Sequence, residues 1–200
     1  MRFHLYLFFF VASSAALLAS PPIQPPTENQ ERDSGLVVYR GGNPGEFMVS
    51  WWGYAGNYYF IETSDDLEVW TVLPLVELGG DEAITLGFDL ADARRFWKLD
   101  YSDDPESELL STDYNGIGLS AWDQLQLGYN PFETVDTVGN GIPDVWELFW
   151  FGTLGVVDPN GDLDQDGQTA MQEFLSSSNP TVSDNPLVGL VLTTPFQREN

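Results

Sequence analysis

Cysteine is absent from the chain. That excludes disulfides, a lipid anchor on cysteine, thiol catalysis, and zinc or iron–sulfur centres held by thiolates. Histidine occurs once, as His4, inside an apolar N-terminal run. If that run is a leader, the remainder has no imidazole base, no imidazole metal ligand and no Ser-His-Asp triad. Lysine also occurs once, as Lys98 in a strand-like stretch, which makes Schiff-base chemistry a poor fit. No Gly-x-x-x-x-Gly-Lys phosphate loop is present. Basic residues are scarce as a class, 7 against 31 acidic ones, for a net charge of −24. Such a chain repels nucleic acid and anionic membrane surfaces and attracts cations. After the N-terminus no apolar run is long enough for a span, which takes about 20 residues. No nucleic acid partner and no membrane span after leader removal are therefore expected.

What is present supports a folded protein. Hydrophobic content is 42% and aromatic content 14%, enough to build a core. Arg2 followed by an uncharged run through Phe8, Phe9, Phe10 and Val11 to Ser13, Ser14, Ala15 and Ala16 has the form of a secretory signal peptide, residues 1–19. Cleavage after Ala19 is preferred and after Ala16 is second; an uncleaved anchor is the alternative. Residues 20–35, with Pro21, Pro22, Pro25 and Pro26, read as an extended linker.

Residues 36–102 alternate strand formers with turn chemistry. Strands are expected over 36–39, 47–52, 58–63, 69–73, 83–88 and 95–101, separated by Gly-, Asn- and Asp-rich turns. This predicts a mainly β, antiparallel sandwich as the N-terminal domain. Its aromatics serve either as core or as a carbohydrate platform, core being the commoner role. A small α/loop region, residues 109–182, follows, and 183–200 form a tail in which 187–192 has strand character.

The chemistry lies in that second region. Calcium takes six to eight oxygens, and a loop supplies them with acidic or amide side chains at positions 1, 3 and 5, a turn glycine at 6, a carbonyl at 7 and a carboxylate at 12. Residues 162–173 meet each requirement: Asp162, Asp164, Asp166, Gly167, the Gln168 carbonyl and Glu173, with Ala170 able to act only through water. Four converging carboxylates repel one another unless a cation sits among them. An Asp-rich surface turn is the bland alternative. Residues 136–147 repeat the template with Asp136, Asn140, Gly141, the Ile142 carbonyl, Asp144 and Glu147, but Val138 at position 3 offers no side-chain oxygen. Residues 113–124 are weaker: Asp113, Asn115, Gly118 and the Leu119 carbonyl fit, while Ile117 stands at 5 and Gln124 at 12. That loop is expected to keep the turn and bind calcium weakly or not at all. Asp158 and Asn160 either extend coordination of the third loop or form a plain turn.

The three loops form an internal repeat, and each unit is too small to bury its own face. Trp122, Leu125, Trp146, Phe149, Trp150, Phe151, Phe174 and Leu175 are expected to pack across units. On these residues, with Pro143-Asp144-Val145-Trp146-Glu147 and Phe151-Gly152-Thr153-Leu154, the segment resembles the thrombospondin type 3-like and dockerin-like calcium repeats of large secreted bacterial proteins. The likeness covers about a third of the chain. It implies calcium binding at Asp136, Asn140, Asp144, Glu147, Asp162, Asp164, Asp166 and Glu173, and an extracellular structural or adhesive role. Residues 59–67 with Trp70 are loosely similar to β-sandwich modules that precede such repeats.

The expectation is thus a secreted, extracellular or periplasmic, calcium-binding structural or adhesion protein without catalysis, whose partner is an extracellular protein or a glycan. The alternative is a carbohydrate-binding or dockerin-like recognition module. A hydrolase would need two carboxylates flanking a cleft, and the evident carboxylate clusters already belong to the loops.

Overall fold

The computed structural model describes residues 5–7, 35–89 and 96–183. These are mainly β, with two antiparallel sheets and a few short helices. The chain divides into two compact units, residues 1–110 and 111–200. All but the last residue of the expected linker, all but the first of the expected tail, and most of the expected leader lie outside the described residues.

The first unit contains β1 (Leu5–Leu7), β2 (Leu36–Arg40), β3 (Glu46–Gly53), β4 (Tyr58–Ser64), β5 (Thr71–Leu78), β6 (Glu82–Asp89) and β7 (Phe96–Ser102). One sheet has the order β1-β7-β4-β5 and the other β2-β3-β6. Alternation along the strands decides which side chains face inward. Val49 and Trp51 of β3, Tyr59 and Ile61 of β4, and Trp97 and Leu99 of β7 form one buried cluster with Leu36. The rings bridge the two sheets: Trp51 lies 5.9 Å from Tyr59, and Trp97 lies 5.4 Å from Phe47 and 4.7 Å from Phe88. Each large side chain so buried contributes on the order of 2 kcal/mol. Trp51, Tyr59 and Trp97, with Phe47, Phe88 and Tyr101 against them, are thus core; among the described residues of this unit, Tyr54 is the exposed large ring.

Two features depart from simple alternation. The strand expected over 69–73 begins at Thr71 and runs to Leu78. The Asp66 carboxylate accepts from the N–H groups of Glu68 and Val69, and Ser64 Oγ from those of Asp66 and Leu67, so this stretch is a turn. Pro74 is accommodated because β5 is an edge strand and its register against β4 shifts between Phe60 and Glu62. The second departure is charge on the outer face of β4 and β7. Lys98 Nζ lies 2.8 Å from Glu62 Oε2 and 3.3 Å from Asp100 Oδ2, and 5.1 Å from the centre of the Trp70 ring. All three charged residues are buried. Burial works against the ammonium, but Glu62 and Asp100 outweigh it and hold its pKa above the ordinary lysine value.

β1 comes from the expected leader. It pairs antiparallel with β7, Leu5 opposite Leu99 and Leu7 opposite Trp97. A cleaved leader would take this strand with it.

A four-residue helix, α1 (Glu108–Ser111), lies at the boundary. The second unit carries α2 (Ala121–Gln126), α3 (Asp144–Phe151) and α4 (Ala170–Ser176). Its core gathers Ile117, Leu119, Ile142, Val145, Trp146, Val157 and Ala170, with Trp150, Phe151 and Phe174 against them. Trp146 is the hub, its ring 5.9 Å from Phe151 and 6.0 Å from Phe174. Phe149 and Leu175, expected inside, are 40% and 73% exposed. A short helix buries one stripe, and residues one step round from Trp150 and Phe174 fall outside it. Trp122 and Leu125 are half-buried. No helix among the described residues is long and apolar enough to cross a membrane.

Candidate metal centre

The three loops preceding α2, α3 and α4 share one backbone design. In each, the aspartate at position 1 accepts from the N–H of the glycine at position 6: Asp113 from Gly118 at 2.8 Å, Asp136 from Gly141 at 2.8 Å, Asp162 from Gly167 at 3.0 Å. In each, the N–H at position 9 bonds the carbonyl just before position 1: Ala121 to Thr112, Asp144 to Val135, Ala170 to Gly161. Positions 4 and 6 are left-handed throughout. Gly116, Gly139 and Gln165 occupy position 4 with φ of 72°, 74° and 64°. The position-1 aspartate is therefore a turn-former in every copy, whatever else it binds. Extra bonds from Gly139 and, more strongly, Gly141 hold the Asp136 carboxyl below the ordinary aspartate range.

What separates the loops is positions 3, 5 and 12. In the third loop, oxygens of Asp162, Asp164 and Asp166 lie within 4.8 Å of one another. Asp162 Oδ1 and Asp164 Oδ1 both accept from the Asp166 N–H, and Asp166 Oδ1 accepts from the Gln168 N–H at 2.8 Å. Asp166 is fully buried, and Asp164 Oδ2 is a buried oxygen that receives no hydrogen bond. Glu173 stands outside this trio of oxygens. It is fully buried on the first turn of α4. The start of that helix is fixed by a capping box, in which Thr169 Oγ1 accepts from Gln172 N–H and Gln172 Oε1 from Thr169 N–H.

No Lys, Arg or His occurs between Ser111 and Ser183. The unit's own described residues thus offer no cation to offset the buried carboxylates. Burying a carboxylate without a counter-charge costs several kcal/mol. The donor set suits a hard cation: clustered carboxylate oxygens, one of them lacking a hydrogen bond, in a loop bent to present them.

The second loop treats its expected ligands differently. Asp144 turns back to Thr137, accepting from its N–H and Oγ1–H at 2.8 Å each. Asn140 Oδ1 accepts from the Ile142 N–H, and Asn140 Nδ2 donates to Glu147 Oε1 at 3.0 Å. Glu147 Oε2 accepts from the Gly155 N–H at 3.0 Å. The Ile142 side chain is fully buried in the core. Asp136, Asn140, Asp144 and Glu147 are each engaged in internal hydrogen bonds. In the first loop, Asn115 and Gln124 exchange side-chain bonds of 2.9 and 3.0 Å. Asp158 accepts from the Asn160 N–H and forms a turn of its own, apart from the third loop's oxygens.

Sequence reasoning missed the position-1 turn bonds, the Asp144–Thr137 clip and both amide pairings. One signal was available: an amide appears in each loop that has lost a carboxylate position. No family model, curated protein or solved structure matches the chain.

Proposed function

We propose that the chain is a secreted calcium-binding protein with a structural or adhesive role and no catalysis, in which an ion at the third loop orders the repeat unit. The observation that carries this reading is the buried, hydrogen-bond-free Asp164 Oδ2 among three clustered carboxylates, in a segment without a basic residue. Calcium there would supply the positive charge that the segment lacks. Asp162, Asp164 and Asp166 would hold it directly, with the Gln168 carbonyl and Glu173 as the remaining donors of the template. The likeness to secreted calcium repeats and the leader-like N-terminus support an extracellular or periplasmic setting. There, a Kd on the order of 10⁻⁴–10⁻³ M is adequate. The partner is an extracellular protein or glycan.

The test is calorimetric titration of the purified chain with calcium chloride, beside Glu173→Gln. A saturable heat in the parent chain that weakens at least tenfold in the variant supports the reading. Absence of a heat in the parent chain contradicts it.

A further inference from the structure

The first two loops are built on the same turn as the third and yet close without clustering their carboxylates. We propose that a side-chain amide stands in each where the third loop takes a cation, so that the unit carries one ion site and two ion-independent copies of the same turn. The one-ion half of this statement rests on the reading above; the amide half does not.

In the first loop the stand-in is the Gln124 amide. Its Nε2 donates to Asn115 Oδ1 at 3.0 Å and to the Leu119 carbonyl at 3.0 Å. Those two oxygens stand at positions 3 and 7, two of the places from which the template feeds a cation. Asn115 Nδ2 in turn donates to Gln124 Oε1 at 2.9 Å and to the Glu133 carbonyl at 2.7 Å. The orientation of both amides is fixed by chemistry. The Leu119 and Glu133 carbonyls only accept, so nitrogen and not oxygen must face them. Gln124 is fully buried, and its partners all lie within the unit. Ile117, at position 5, has no oxygen to offer and serves the core instead.

In the second loop the stand-in is the Asn140 amide. The Ile142 N–H only donates, so it fixes Oδ1 toward itself and leaves Nδ2 to face the Glu147 carboxylate. The Gly155 N–H serves the other carboxylate oxygen. The buried carboxylate at position 12 thus receives two N–H donors in place of a metal bond. Val138 at position 3 removes the one further charge that would have needed an ion. A hydrogen-bonded amide is a weak substitute for a divalent ion, but a neutral one. The third loop has aspartate where these loops have Asn115 and Asn140. Carboxylates are acceptors only, so they cannot provide the same closure to one another.

Calcium chloride titrations of the full chain test this through four proteins. The parent chain is expected to bind one ion. Glu147→Gln is expected to leave that stoichiometry and its Kd unchanged within about twofold, because Glu147 holds no ion. Asn140→Asp and Gln124→Glu, which remove the donors, are each expected to bind one ion more than the parent. Each should also melt lower in chelator than in calcium by a wider margin than the parent does. A parent chain binding two or three ions overturns the proposal, as does loss of an ion in Glu147→Gln. So does the absence of any gain in both donor variants, including chains that stay unfolded with calcium present. A parent chain that binds nothing, while either donor variant gains an ion, would sink the third-loop reading and leave the amide closure standing.

Discussion

The two units bury carboxylates under opposite arrangements. The first unit places Glu62 and Asp100 around Lys98, the chain's one lysine, so that both carboxylates have a counter-charge within the unit. The repeat unit buries Asp144, Glu147, Asp166 and Glu173 along a segment that has no basic residue. Asp144 and Glu147 are served by N–H and O–H donors. The third loop instead concentrates its carboxylates. Similar acidic residues thus fill different structural roles. A carboxylate can be paired with a lysine, satisfied by neutral donors, or gathered with others of its kind in one loop. If an ion binds at the third loop as proposed, the first unit should be indifferent to calcium and the repeat unit should not.

Removing the hub of the repeat unit should have the largest effect. Trp146→Ala should cost about 4 kcal/mol in the repeat unit, seen as an early melting transition with that of the first unit retained. The mirror experiment is Lys98→Met, which takes the counter-charge from two buried carboxylates. It should destabilise the first unit by about 3 kcal/mol and leave calcium binding unchanged. Its pH behaviour has a definite sign. Because folding raises the Lys98 pKa, the lysine's contribution is whole below the ordinary lysine value and fades as pH climbs through the folded one. The parent's advantage over Lys98→Met should therefore shrink in strong base, by denaturant titration. Smaller again is the calcium effect. At a hundredfold excess over Kd, calcium should stabilise the repeat unit by about 2.7 kcal/mol, with no shift of the first unit's transition. The smallest change expected is Asp136→Asn, which keeps only one acceptor oxygen for Gly139 and Gly141. The Asp136 pKa is lowered on folding. Its contribution is therefore present above the ordinary aspartate value and lost as pH falls through the folded one. The variant should melt slightly below the parent at neutral pH and converge with it in acid.

Much of the first unit's strand pattern was legible in the alternation of segments such as 47–52 and 58–63, because a half-buried strand writes its faces into every second residue. The late start of β5 was not, since it depends on side-chain bonds from Ser64 and Asp66 to the following backbone. Nor was the buried Glu62–Lys98–Asp100 trio, which needs the pairing of β4 with β7 to bring it together. In the repeat unit, the register of the loops was legible from Gly118, Gly141 and Gly167. Which expected ligands would face a common point was not. Asp144 fits position 9 by spacing alone, yet Thr137 captures it, because a hydroxyl and an N–H lie within reach seven residues upstream. Ile117 looked like a spoiled ligand position and is a core residue. A spacing template describes where the backbone places a residue; the competing donors around it are set by the folded chain.

Amide hydrogen exchange of the full chain, in calcium and in chelator, tests the central claim most directly. The account predicts slower exchange in calcium over residues 162–173 and α4, with β2 to β7 unchanged. Equal exchange in the two conditions over the third loop, or a change confined to the first unit, would contradict it.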